Sequence, residues 1–111
     1  MRFEKLKNDI LGRDYTLSIA FVSEKKSREI NKKYRKKDKS TNVLSFPLHK
    51  DEGEIILCNS VIKREAKKID KTYKAWLGFL VIHGMLHLKG MTHSSRMERA
   101  EKKYDQKYFH R

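Results

Sequence analysis

One stretch of the chain constrains all the others. Between Ala75 and Leu88, 14 consecutive residues carry no Lys, Arg, Asp or Glu, in a sequence where those types make up 37%. A helix that is apolar on every side has to be surrounded by protein. The run falls short of the roughly 20 residues needed to span a bilayer, so it predicts a central core helix. With 111 residues in total, the remaining elements must pack around it as one domain, 1–111.

Those elements are legible in outline. Phe3, Leu6 and Ile10 have helical spacing, which predicts a short helix over 2–11. Tyr15, Leu17, Ile19 and Phe21 alternate, as in a strand over 15–22. Ser23 is placed to cap a basic helix, Glu24 to Tyr34. A polar, irregular segment follows to Asn42. Val43 to Phe46 reads as a short strand stopped by Pro47, and Glu54 to Cys58 as another. Asn59 is placed to cap a helix to Ile69. Thr72 starts the apolar helix, Gly90 ends it, and Ser94 or Ser95 begins a last helix to about Tyr108. The expected fold class is α+β: a small mixed β-sheet packed against several helices, with the central apolar helix carrying two metal-binding histidines.

Charge narrows the partners. Lys and Arg outnumber Asp and Glu by 27 to 14, a formal net charge of +13. The surplus is concentrated: 24–39 holds nine basic residues against three acidic, and 61–74 six against two. Such a field favours a polyanion. A lone cysteine, Cys58, excludes an internal disulfide and a cysteine metal cluster, and it reads as an inert buried thiol. The N-terminal residues MRFEKLKNDILGRD lack the apolar centre of a secretion signal, so the expectation is a cytoplasmic protein with no membrane association.

The segment His83-Gly-Met-Leu-His87-Leu-Lys-Gly90-Met-Thr-His93 carries the chemistry. His83 and His87 lie one helical turn apart on one face. Gly90 lets the chain turn back, and His93 follows three residues later. Three of the five histidines thus fall within 11 residues. Three nitrogen ligands plus one water is the layout of a catalytic zinc site, although imidazoles also suit iron, copper and nickel. His49 and His110 have no such company and read as surface residues. The spacing H-x-x-x-H-x-x-G-x-x-H equals that of metzincin proteases, which carry a Glu base after the first His. Here that position is Gly84, so the protease reading has no base.

The motifs resemble those of the YbeY family of rRNA-maturation endoribonucleases. Its pattern HGxLHLxGYDH meets HGMLHLKGMTH at 83–93. Its second pattern, N-x-x-YR-x-K-D-x-x-T-D-V-L-S-F-P, meets NKKYRKKDKSTNVLSFP at 31–47. A third, a G-D-I strand start, meets Gly53-Glu54-Ile55. The resemblance implies an α+β fold, one Zn2+ held by His83, His87 and His93 plus water, and metal-dependent cleavage of single-stranded RNA. It implies action at the three-prime end of the small-subunit rRNA, with rRNA and the small ribosomal subunit or its associated proteins as partners. The catalytic set it implies is Arg35, His83, His87 and His93. Arg35 offers a fork suited to phosphate and is expected to face the metal; the competing reading is an ion pair with Asp38 or Glu54. Lys32, Lys33, Lys36 and Lys37, with Arg35, are the candidate RNA-binding residues.

Three acidic positions of the family pattern are altered, at Asn42, Glu54 and Thr92, and the family's Tyr is Met91. Glu54 is the best remaining carboxylate for a general base, with Thr41 and Ser45 as possible donors in the cleft. The expectation is that the N-terminal strand usual in longer members is lacking, so that one sheet edge is either open or covered by residues 1–11. The alternatives to a nuclease are a non-catalytic, zinc-stabilised RNA- or ribosome-binding assembly factor, and a metal-dependent hydrolase of another substrate such as a peptide.

Overall fold

The structure is a computed structural model, and it describes residues 3–109. His110 lies outside them. Five helices and three strands follow in the order α1 (Glu4–Ile10), β1 (Thr16–Phe21), α2 (Glu24–Arg35), β2 (Val43–His49), β3 (Glu52–Leu57), α3 (Asn59–Lys68), α4 (Tyr73–Leu88) and α5 (Ser95–Tyr108). The fold is α+β, as expected.

The sheet has the order β1-β3-β2, with β1 parallel and β2 antiparallel to β3. Along β3, Gly53, Ile55 and Leu57 are buried while Glu54 and Ile56 are only partly so. The buried face packs on α4. That helix also touches α1, α3 and α5, and its Val81, Ile82, Met85 and Leu86 sit at the centre of the core with Ile55, Leu57, Ile62 and Met97. An apolar run with no polar face is thereby covered on all sides. Cys58 is buried, and His49 is exposed beside Glu52.

Three helix starts follow their capping residues. The hydroxyls of Ser23, Thr72 and Ser94 accept from the backbone N–H groups of Lys26, Ala75 and Met97. Asn59 does not cap α3; it is the first helical residue, and its side-chain oxygen accepts from the Tyr73 hydroxyl.

Pro47 does not stop β2. The strand continues to His49, with Pro47 opposite Gly53 and a register shift before His49. β2 is an edge strand, where a residue without an N–H costs no ladder bond. At the other edge, no strand pairs with the outer side of β1 among the described residues. Part of α1 covers the sheet face there: Phe3, Glu4 and Lys7 meet Leu17, Ile19 and Phe21 around a cavity of about 420 Å³. Asp9 on α1 accepts from Lys107 and Tyr108 on α5, both at 2.7 Å.

Candidate metal centre and nucleic-acid interface

The site is built at the end of α4. His83 and His87 lie one turn apart, and their Nε2 atoms are 3.0 Å from each other. The helix then closes in a Schellman turn: Met91 N–H donates to Leu86 O, Gly90 N–H donates to His87 O, and Gly90 takes φ +103°. This reversal returns His93 to the other two rings, with centroids 5.3 and 5.1 Å away. One ring nitrogen from each histidine falls within 4.8 Å of the others.

Each helical histidine is oriented through its second nitrogen. His83 Nδ1–H donates to Glu101 Oε2 at 2.5 Å, and His87 Nδ1–H donates to Met91 O at 3.0 Å. A backbone carbonyl can only accept, so the His87 proton is fixed on Nδ1 and the Nε2 lone pair faces the cavity. Burial, and then the neighbouring His83, holds the His87 imidazole below its ordinary pKa; the Met91 carbonyl works against this. A lowered pKa favours the neutral ring, which is the ligand form. Tetrahedral ligands at 2.0–2.1 Å from an ion stand about 3.4 Å apart; His83 and His87 are at 3.0 Å and His93 lies within 4.8 Å of both, so the donor set fits a divalent metal.

Glu101 was not legible from the family patterns. The available signal is its place on α5: Met97, Glu101 and Tyr104 share one buried face at helical spacing. A carboxylate on an apolar stripe needs a partner, and here the partner is a histidine.

The histidines open into a cavity of about 640 Å³ whose other wall is Tyr34, Arg35 and the segment Thr41–Phe46. Two buried polar residues of α2 hold that wall. Ser27 Oγ donates to Thr41 O and accepts from Thr41 N–H, at 3.0 and 2.9 Å, and Asn31 Nδ2 donates to Lys39 O at 2.8 Å. Gly84 lies where α4 meets the sheet. A Cβ there would stand 3.0 Å from Ser45 Oγ and 3.1 Å from Ile55 Cδ1. The position that is a glutamate base in metzincins is therefore occupied by close backbone packing.

Arg35, the last residue of α2, is exposed and lines the histidine cavity. Asp38 is taken by Arg28 at 2.7 Å, and among the described residues Arg35 forms an ion pair with neither Asp38 nor Glu54. Lys32, Lys33, Lys36 and Lys37 are exposed around the same helix end but do not line the cavity. Thr41 and Ser45 do. Glu54 does not. It lies on the opposite face of β3, in a second cavity beside α2, because strand side chains alternate and Gly53 and Ile55 take the α4 face. No carboxylate lines the histidine cavity among the described residues.

Asn42, where the family pattern has Asp, also has a specific setting. Its Oδ1 accepts from Val43 N–H and its Nδ2 donates to Glu65 Oε1 at 3.0 Å; Trp76 Nε1–H donates to the same oxygen. An aspartate at 42 would set two carboxylates against each other.

Comparison with known proteins agrees with this geometry. The family described as Endoribonuclease YbeY matches residues 2–110. The chain belongs to the YbeY family. A relative from Staphylococcus carnosus, named Endoribonuclease YbeY, is 37% identical over 107 residues, covering 86% of this chain and 70% of its own. One of the same name from Colwellia psychrerythraea is 42% identical over 97 residues, covering 81% and 63%. This YbeY-family chain thus spans about two thirds of these relatives' lengths. A Thermotoga maritima protein of known solution structure superposes with a TM-score of 0.68 at 34% identity, over 94% of this chain and 79% of its own.

Proposed function

We propose that this YbeY-family chain is a zinc-dependent endoribonuclease that cuts single-stranded RNA in rRNA maturation, at the three-prime end of the small-subunit rRNA. Its partners in this reading are rRNA and the small ribosomal subunit or proteins associated with it, in the cytoplasm. The observation that supports it most is the convergence of three histidine nitrogens, two of them already oriented, on a cavity that Arg35 shares. His83, His87 and His93 would hold a divalent ion, which would supply Lewis acidity toward a phosphoryl oxygen and make a bound water more acidic.

The residues of the chain do the rest. Arg35 binds the phosphate through its planar fork and offsets the charge that builds on it. Lys32, Lys33, Lys36 and Lys37 hold the backbone on either side without reading sequence. Ser45 is not free to donate to a substrate, because its hydroxyl donates to Gly84 O at 3.0 Å. The absence of a carboxylate among the described residues lining the cavity favours a second reading, a non-catalytic RNA-binding assembly factor stabilised by zinc.

One experiment separates them. Wild type, His87→Ala and Arg35→Ala are assayed on ribosomal RNA, with zinc measured in the same samples. The nuclease reading expects wild type to hold about one zinc and cut, His87→Ala to lose both, and Arg35→Ala to keep zinc but cut at least tenfold more slowly. Wild type that holds zinc and RNA yet never cuts faster than His87→Ala establishes the binding factor instead. Loss of zinc in Arg35→Ala overturns the role given to the arginine.

A further inference from the structure

Beside the histidine cavity lies the second one, of about 540 Å³, between α2 and the opposite face of the sheet. Tyr34 and Phe46 line both. Their rings meet edge to face with centroids 5.2 Å apart, and Tyr34 remains 59% exposed. A large aromatic side chain left in solvent, at the end of the most basic helix, is unexplained by packing.

The two cavities differ in chemistry. The histidine cavity offers Arg35 and no carboxylate, which suits phosphate. The second offers Ile30, Phe46, Pro47, Leu48 and Ile56 as an apolar lining, together with the exposed Lys26 and Lys33. It also contains Glu29 and Glu54. Carboxylates repel phosphate, but they accept hydrogen bonds from the amino groups of a nucleobase. An apolar slot with carboxylate acceptors and exposed lysines therefore fits a base whose phosphates stay with the lysines.

We propose that Tyr34 is the stacking platform of a nucleobase subsite: the base next to the phosphate at Arg35 lies in the second cavity against Tyr34 and Phe46. This deepens the RNA reading of the site and rests on it. Tyr34 directly precedes Arg35 at one helix end, so the ring stands at the border of the two cavities while the guanidinium belongs to the histidine cavity alone. Lys33, whose ammonium lies 5.3 Å from the Tyr34 centroid, is within reach of that nucleotide's phosphate. A base in this slot has left its duplex, so the subsite selects single strands.

The test uses an unstructured 12-nucleotide RNA and copies of it with one abasic position each. Binding is measured on the full chain carrying His87→Ala, which prevents cutting, with and without Tyr34→Leu or Tyr34→Phe. Tyr34→Leu should weaken binding by about 5- to 150-fold, and Tyr34→Phe should restore it to within about twofold. The salt dependence should be unchanged in both, because no phosphate contact is lost. One abasic position should weaken the Tyr34 protein and leave the Leu variant unaffected. A purely structural Tyr34 would show no such position, and that result overturns the subsite, as does unchanged binding by Tyr34→Leu. If the stacking signature appears but wild type does not cut, the subsite stands and the nuclease reading falls.

Discussion

Glu101 is the residue whose replacement tests the metal centre most directly. Its side chain is 11% exposed and that of His83 20%, so the 2.5 Å contact between them is shielded from water. A hydrogen bond to a charged group contributes about 1.5–3 kcal/mol, roughly twice a neutral one. Glu101→Gln keeps an acceptor and loses the charge, so about half of that is forfeited, or about 3- to 10-fold in zinc affinity at 1.4 kcal/mol per decade. Glu101→Ala removes the acceptor as well and leaves His83 Nδ1–H without its partner, which should cost about 10- to 100-fold. The assay is a zinc competition titration against a chromophoric chelator. Near-ultraviolet circular dichroism of Trp76 and its stacked neighbour Phe79 confirms that each variant is folded. The expected order is wild type, Gln, Ala. Folded variants that hold zinc within twofold of wild type would show that Glu101 does not orient a ligand.

Two further outcomes follow from packing and charge. Gly84→Ala presses a methyl against Ser45 Oγ and Ile55 Cδ1, and overpacking of this kind costs about 1–3 kcal/mol; urea denaturation should show a lower midpoint, and an unchanged one would mean that α4 shifts freely on the sheet. Asn42→Asp turns a donor toward Glu65 into a like charge, with an expected loss of about 1–3 kcal/mol at pH 7. Urea denaturation measures the loss, and an unchanged midpoint would show that the Asn42 contact with Glu65 contributes nothing to stability.

The helices and the histidine cluster were legible because both rest on local rules. Caps at Ser23, Thr72 and Ser94, and the i, i+4 histidine pair, act within one or two turns. What the sequence hid depends on partners distant along the chain. Pro47 is tolerated because β2 turned out to be an edge strand, a property of the strand order. Glu54 faces away from the histidines because β3 gives its Gly53 and Ile55 face to α4. Glu101 meets a histidine 18 residues away through helix packing that no local pattern encodes. Arg35 lines the histidine cavity, and its competing ion pair with Asp38 is preempted by Arg28 from the same helix.

The Schellman turn after α4 has a consequence for which substitutions this site can absorb. His87 is aimed by the main-chain oxygen of residue 91, and that oxygen's position is set by the left-handed Gly90. Every amino acid carries such an oxygen. The side chain at 91, half-buried against the core, can therefore differ, tyrosine in the family pattern and methionine here, while the aim of the histidine stays the same. The constraint has moved one residue upstream, to a position where only the absence of a side chain permits the turn without strain. Mutational latitude and mutational fragility thus sit on adjacent residues of a single loop, and a scan of 90 and 91 would show tolerance of other large apolar side chains at 91 and steep loss at 90.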